Sequence, residues 1–146
     1  LILNQAIDNF EFKSYETSLD VKDFDTSFVK GLSFEDGCAT LTKFTAYLIA
    51  DGLKKIDKQN NINPHHYIIC GGGRKNKSLM QSIENYLVNK NVIIKDIDDY
   101  NFDGNFIESQ AFAYLAIRSY LKLPISFPST TRSKKAISGG DILQNF

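Results

Sequence analysis

An α/β fold with a parallel strand pair is predicted by three observations. Apolar residues recur at helical spacing in three segments between Ser33 and Leu123. Two short apolar runs, residues 66–70 and 92–94, separate those segments and are rich in β-formers. A strand–helix–strand unit of this length favours a right-handed crossover, which makes its two strands adjacent and parallel. The expected product is a partial sheet with flanking helices. The 146 residues suit one domain. Within it, residues 1–32 read as a connecting helix and irregular segment, 33–123 as the α/β core and 124–146 as an extended tail.

Residues 1–9 form a short helix, and residues 10–34 mix aromatics with Ser, Thr, Asp and Lys without sustained periodicity. From Ser33 to about Asp57, the residues Leu41, Phe44, Tyr47, Leu48, Ile49, Leu53 and Ile56 repeat at helical intervals. Ser33 followed three residues later by Asp36 is an N-terminal signal for that helix. Asn60, Asn61, Asn63 and Pro64 break the chain. His66, Tyr67, Ile68, Ile69 and Cys70 then run into three glycines, as a buried strand would. Asn76 can cap a second helix reaching Val88, with Leu79, Met80, Ile83 and Leu87 on its inner face. Val92, Ile93 and Ile94 make a second buried strand, followed by Asp96, Asp98 and Asp99 in a loop. A third helix, about residues 106–123, is apolar almost all round over residues 111–117, which predicts cover on more than one side. Pro124, Pro128, Gly139 and Gly140 mark an extended tail with turns. Two strands make a thin sheet for three helices, so part of a larger domain is expected.

Composition excludes several classes. Seventeen basic against seventeen acidic side chains leave no electrostatic excess to attract nucleic acid. No run approaches the roughly 18–20 apolar residues of a membrane span. The first ten residues lack the basic flank and cleavage site of a secretory signal. Cys38 and Cys70 lack metal-ligand spacing and read as small buried groups in a reduced, cytoplasmic setting. His65 and His66 have no carboxylate or thiol at ligand spacing, so one packs, one is exposed and no metal site is expected.

The chemical signal is the segment Cys70-Gly71-Gly72-Gly73-Arg74-Lys75-Asn76 between strand and helix. Glycines let the backbone turn sharply and let a ligand approach bare amides. The helix that follows offers free N–H groups and the positive end of its dipole. In open α/β sheets, ligands gather at the carboxyl ends of strands, where this loop sits. It lacks the Gly-Lys-Ser/Thr ending of a P-loop and the spacing of the dinucleotide fingerprint. A plain strand-to-helix turn uses the same residues, and the spacing leaves both readings open. Arg74 and Lys75 read as solvated cations at a helix start, with pairing to phosphates as the alternative. Ser18, Asp20, Asp96, Asp98 and Asp99 read as either polar groups of a cleft or hydrated loop residues. Asn105 and Glu108 have the spacing of a reciprocal cap on the third helix.

CGGGRKNKSLM resembles the CGGG-x-x-N-x-x-L-M segment of the anhydro-N-acetylmuramic acid kinases, members of the sugar kinase and actin superfamily. Thr17-Ser18-Leu19-Asp20 with Phe24 resembles the PKSLDR-x-x-F stretch of that family, with Glu16-Thr17 standing for Pro-Lys. Phe34 to Thr42, FEDGCATLT, followed by Phe44-Thr45-Ala46, is similar to its ED-G-x-ATLT-x-x-TA helix start. Ile107 to Ala116, IESQAFAYLA, resembles its E-A-x-AFAWLA helix. Leu123-Pro124, Pro128-Ser129-Thr130-Thr131 and Gly139-Gly140 resemble its LP-x-x-x-P-x-TTG…GG tail, with Arg132 where that pattern has glycine.

The resemblance implies the C-terminal lobe of a ribonuclease H-like, actin-like ATPase fold. It implies a kinase of peptidoglycan recycling that opens 1,6-anhydro-N-acetylmuramic acid with water and phosphorylates its 6-oxygen, using ATP and Mg²⁺. Gly71, Gly72, Gly73 and Asn76 would contact the nucleotide, and Glu108 would lie near the sugar unless the cap occupies it. Members of the family are more than twice as long, and the resemblance implies that their phosphate loops and catalytic aspartate lie in the N-terminal half, outside these blocks, so no catalytic or metal-binding residue is assigned here. A chain of this kind is expected to be inactive alone and to require no cofactor by itself. Its expected partners are a complementary N-terminal lobe or a second copy. The alternative is a non-catalytic module, either a decayed gene product or one subunit of a split kinase.

Overall fold

The structure is a computed structural model that describes residues 1–10, 21–60, 65–88, 92–141 and 143, without the side chains of 57–60 and 65. Helix α1 spans Ile2–Asn9, and two 3-10 turns, Val21–Asp23 and Ser27–Val29, lead to the long helix α2, Phe34–Asn60. Ser33 starts α2 as expected: its Oγ accepts the Asp36 N–H at 3.1 Å and donates to Asp36 Oδ2 at 2.9 Å. Ala6 and Phe44 are buried where α1 meets α2. Phe10 stacks on Phe24 with centroids 5.7 Å apart, while Phe10 and Phe28 meet Phe44 edge-on at 5.6 and 5.0 Å.

Strand β1, His65–Ile69, leads through a glycine turn into α3, Lys77–Leu87, and then β2, Val92–Asp96. The two strands pair in parallel, with Tyr67 opposite Ile94 and Ile69 opposite Asp96. The expected crossover unit is present. Its core joins Ala46 and Ala50 of α2 to Ile83 and Leu87 of α3. Leu79, Met80, Val92 and Ile94 pack against that group, and Tyr47 meets Tyr86 edge-on at 5.6 Å. Two alanines with no exposed surface let α3 approach the α2 backbone closely. Ile49 and Ile56, which belong to the apolar repeat of α2, are exposed.

Both strands were expected to be buried, and the structure corrects this. Tyr67, Ile69, Val92 and Ile94 are half-buried, whereas His66, Ile68, Ile93 and Lys95 point to the uncovered face. Ile68 is 51% exposed. A two-stranded sheet with helices on one side has nothing among the described residues to cover the other. The same correction applies to α4, Ile107–Tyr120, none of whose residues is buried. Ile117 is 60% exposed, and Phe112 and Tyr114 are similar. The helix ends earlier than expected because Lys122 turns left-handed at φ 55°. The Lys122 N–H then meets Ser119 O at 2.9 Å and the Leu123 N–H meets Arg118 O at 2.8 Å, a Schellman closure.

The tail folds back on α4. Arg118 Nε donates to Pro124 O at 2.7 Å, Ser119 Oγ donates to Gly139 O, and Ser126 bridges Ile137 antiparallel. The short helix α5, Pro128–Thr131, ends at Arg132, whose φ of 57° explains why glycine suits that position. Both cysteines are free and exposed, contrary to expectation. Cys38 lies on the outer side of α2, and Cys70 leaves β1 toward the open loop. His66 is exposed, and the side chain of His65 lies outside the described residues. Among the described residues no helix is long and apolar enough to cross a membrane.

Candidate functional site

The site grows from the carboxyl end of β1. Gly71 has φ 83° and ψ 173°, a region of backbone space open essentially to glycine alone. A 3-10 turn, Gly72–Lys75, follows, and the Asn76 N–H closes it on Gly73 O at 3.0 Å. Asn76 Oδ1 accepts the Leu79 N–H at 3.1 Å and caps α3, as its sequence position predicts. A Cβ on Gly71 or Gly72 would meet nothing within 4 Å, and one on Gly73 only Leu79 Cδ2 at 3.8 Å. The loop therefore presents bare backbone to open space, next to the positive end of an eleven-residue helix. The glycine-only conformation falls on Gly71, while Gly72 is bare without a backbone reason.

Arg74 is not the solvated cation its position suggests. Its side chain is 3% exposed, and each of its three guanidinium nitrogens donates a hydrogen bond. Nε donates to Asp96 Oδ1 at 3.1 Å, Nη2 to Asp98 Oδ2 at 2.8 Å, and Nη1 to Gly71 O at 2.9 Å. Asp98 Oδ1 accepts the Gly104 N–H at 2.6 Å, and Asp96 Oδ1 accepts the Asp98 N–H at 3.1 Å. The Gly104 N–H, then the Arg74 guanidinium, hold the Asp98 carboxyl below the usual carboxylate range. The Asp98 carboxylate in turn raises the Arg74 pKa. Gly104 is buried beneath this group, and a Cβ there would lie 2.6 Å from Arg74 Cζ and from Ile97 Cγ2. Asp96 and Asp98 are thus ion-pair partners, while Asp99 is exposed.

Glu108 is exposed in the first turn of α4, away from any reciprocal cap. The Asn105 N–H and Nδ2 both donate to Asp103 Oδ1, at 2.9 and 2.8 Å. That turn occupies Asn105, so the helix begins one residue later at a Phe106 cap without a side-chain bond. Ser18 and Asp20 lie outside the described residues. Sequence reasoning missed the pairing of Arg74 and the packing role of Gly104. A signal existed: parallel strands bring their carboxyl ends together, so a cation after β1 and carboxylates after β2 become neighbours.

The profile of the anhydro-N-acetylmuramic acid kinase family matches residues 8–145. An anhydro-N-acetylmuramic acid kinase of Pelagibacter ubique is 57% identical over all of this chain and 39% of its own length. Those of Zymomonas mobilis and Caulobacter vibrioides are 39% and 41% identical over 86% of this chain. The chain spans 32% of the length of each of these two relatives. With a match running almost from end to end, and with the glycine loop, the Ser33 helix start and α4 all inside it, the chain belongs to the anhydro-N-acetylmuramic acid kinase family.

Proposed function

We propose that this chain is the C-terminal lobe of an anhydro-N-acetylmuramic acid kinase with an actin-like ATPase fold, and that it supplies the adenosine side of the nucleotide pocket. The observation that carries this reading is the loop of Gly71, Gly72 and Gly73, whose amides border space that any side chain would fill. Gly71 gives the turn its shape, Gly72 and Gly73 leave room for the ligand, and Asn76 fixes the start of α3. These residues fit a nucleotide. They do not fit its Mg²⁺, because Asp96 and Asp98 are committed to Arg74. ATP, when bound, supplies the phosphoryl group for the 6-oxygen of the anhydro-sugar, whose ring is opened by water in the intact kinase of peptidoglycan recycling. Glu108, exposed at the start of α4, is available to a substrate brought against that helix.

The base and the phosphate clamp are expected from a complementary N-terminal lobe. General-base help is worth about 10²–10⁴-fold and phosphate stabilisation about 10²–10³-fold, so their absence leaves this chain inactive alone. The uncovered sheet face and α4 are the surfaces suited to that lobe, or to self-association in its absence. Two free cysteines fit a reduced, cytoplasmic setting.

The test is calorimetric titration of ATP into the chain and into Gly72→Val, with a phosphotransfer assay containing Mg²⁺ and anhydro-N-acetylmuramic acid. Binding by the wild-type chain, its loss in a folded Gly72→Val variant and no product from either are expected. Unchanged affinity in Gly72→Val removes the loop from the nucleotide site. ATP-dependent product from the chain alone refutes its dependence on a second lobe.

A further inference from the structure

We propose that Arg74 is the positioning residue of the glycine loop: it fixes the Gly71 carbonyl, sets the pose in which the following amides receive a nucleotide, and ties that loop to the segment entering α4. This rests on the nucleotide reading above. The guanidinium reaches three acceptors on three different segments, namely Gly71 O, Asp96 Oδ1 at the end of β2 and Asp98 Oδ2 beyond it. The Arg74 N–H also points to Gly71 O, at 3.4 Å, so backbone and side chain of one residue close on the same carbonyl. Glycine populates positive and negative φ alike, so the Gly71 backbone does not fix itself, and the Arg74 side chain holds it in this one conformation. The rigid fork of Arg makes this possible by spreading its donors over three nitrogens, whereas Lys gathers its three donors on a single atom.

Two carboxylates face the guanidinium, so its charge is answered before a ligand arrives. That separates Arg74 from a phosphate clamp, which would present an unanswered cation to solvent. Asp98 carries the same connection onward by accepting the Gly104 N–H, three residues before α4 begins at Ile107. The nucleotide loop and the segment leading into the helix that bears Glu108 are therefore linked through the Arg74–Asp98 pair.

The experiment uses the ¹⁵N-labelled chain, Arg74→Lys and Asp98→Asn, titrated separately with ATP and with adenosine. Glycine amide peaks report the loop, and those of Ile83 and Leu87 report the core. In Arg74→Lys the peaks of Gly71, Gly72 and Gly73 should move while the core peaks stay. ATP and adenosine should both weaken by the same factor, about tenfold to a hundredfold, the scale of losing one hydrogen bond to a charged group. Asp98→Asn should act in the same direction. Loss of ATP affinity with adenosine unaffected would make Arg74 a phosphate ligand and overturn the proposal. Unmoved glycine peaks with unchanged affinities would overturn it too. If Gly72→Val or the wild-type chain shows that ATP does not use this loop, the nucleotide reading and the ligand half of the proposal fail. Glycine peaks that still move in Arg74→Lys would then uphold its hold on the loop alone.

Discussion

Neighbouring glycines in the loop should respond oppositely to the same substitution. Gly71→Ala forces a side chain into φ 83°, ψ 173°, at a cost of about 1–3 kcal/mol. The space around that Cβ is open, so the cost is conformational and not steric. Gly72 has no left-handed φ and equally open surroundings. Gly72→Ala therefore restricts the unfolded chain without straining the folded one, a gain of about 0.4–1 kcal/mol. The two variants should differ by about 1.5–4 kcal/mol. At about 2–4 °C per kcal/mol for a chain near this size, their Tm values should lie about 3–16 °C apart. Thermal unfolding followed by circular dichroism, without ligand, measures the separation directly. A Gly71→Ala chain as stable as wild type, or a Gly72→Ala chain equally damaged, would refute the loop geometry.

Ile83→Ala should destabilise by about 2–5 kcal/mol, because Ile83 is 2% exposed against two helix-bound alanines that cannot fill the void; urea unfolding would contradict this with a loss under about 1 kcal/mol. Arg132→Gly should stabilise by about 0.5–1 kcal/mol by relieving the left-handed φ at the end of α5, and an unchanged urea midpoint would count against strain there. The Asp98 carboxyl is held below its ordinary pKa, so its contribution is present above about pH 4 and lost as pH falls through the folded value. The stability difference between wild type and Asp98→Asn should therefore shrink on acidification below about pH 4, and a difference that grows there would reverse the assignment.

Local signals were legible in the sequence where a short segment decides its own structure. Ser33 with Asp36, and Asn76 with Leu79, cap their helices within three residues, and both bonds form. The crossover of β1, α3 and β2 is likewise a consequence of chain chirality over a short span. What periodicity could not say is how many sides of an apolar element have neighbours. Ile68, Ile93 and the apolar ring of α4 read as buried because apolar content measures the capacity for burial, not its occurrence. Arg74 escaped for a different reason. Its partners stand 22 and 24 residues away, so its charge is balanced only once the two strands are paired.

The way the tail returns to α4 has a consequence for how the molecule opens. Arg118 and Ser119 hold Pro124 O and Gly139 O, and Ile137 closes on Ser126, so helix and tail share their fastenings. Against α2 and α3, α4 makes at most sparse contact among the described residues. Such a group tends to detach as one cooperative unit at a free energy below that of the core. In deuterium labelling, the α4 amides should exchange in step with Ile125 and Ile137, ahead of those of Ile83 and Leu87. The loop between β2 and α4, gripped by Arg74 through Asp98, becomes the threshold that such an opening must cross.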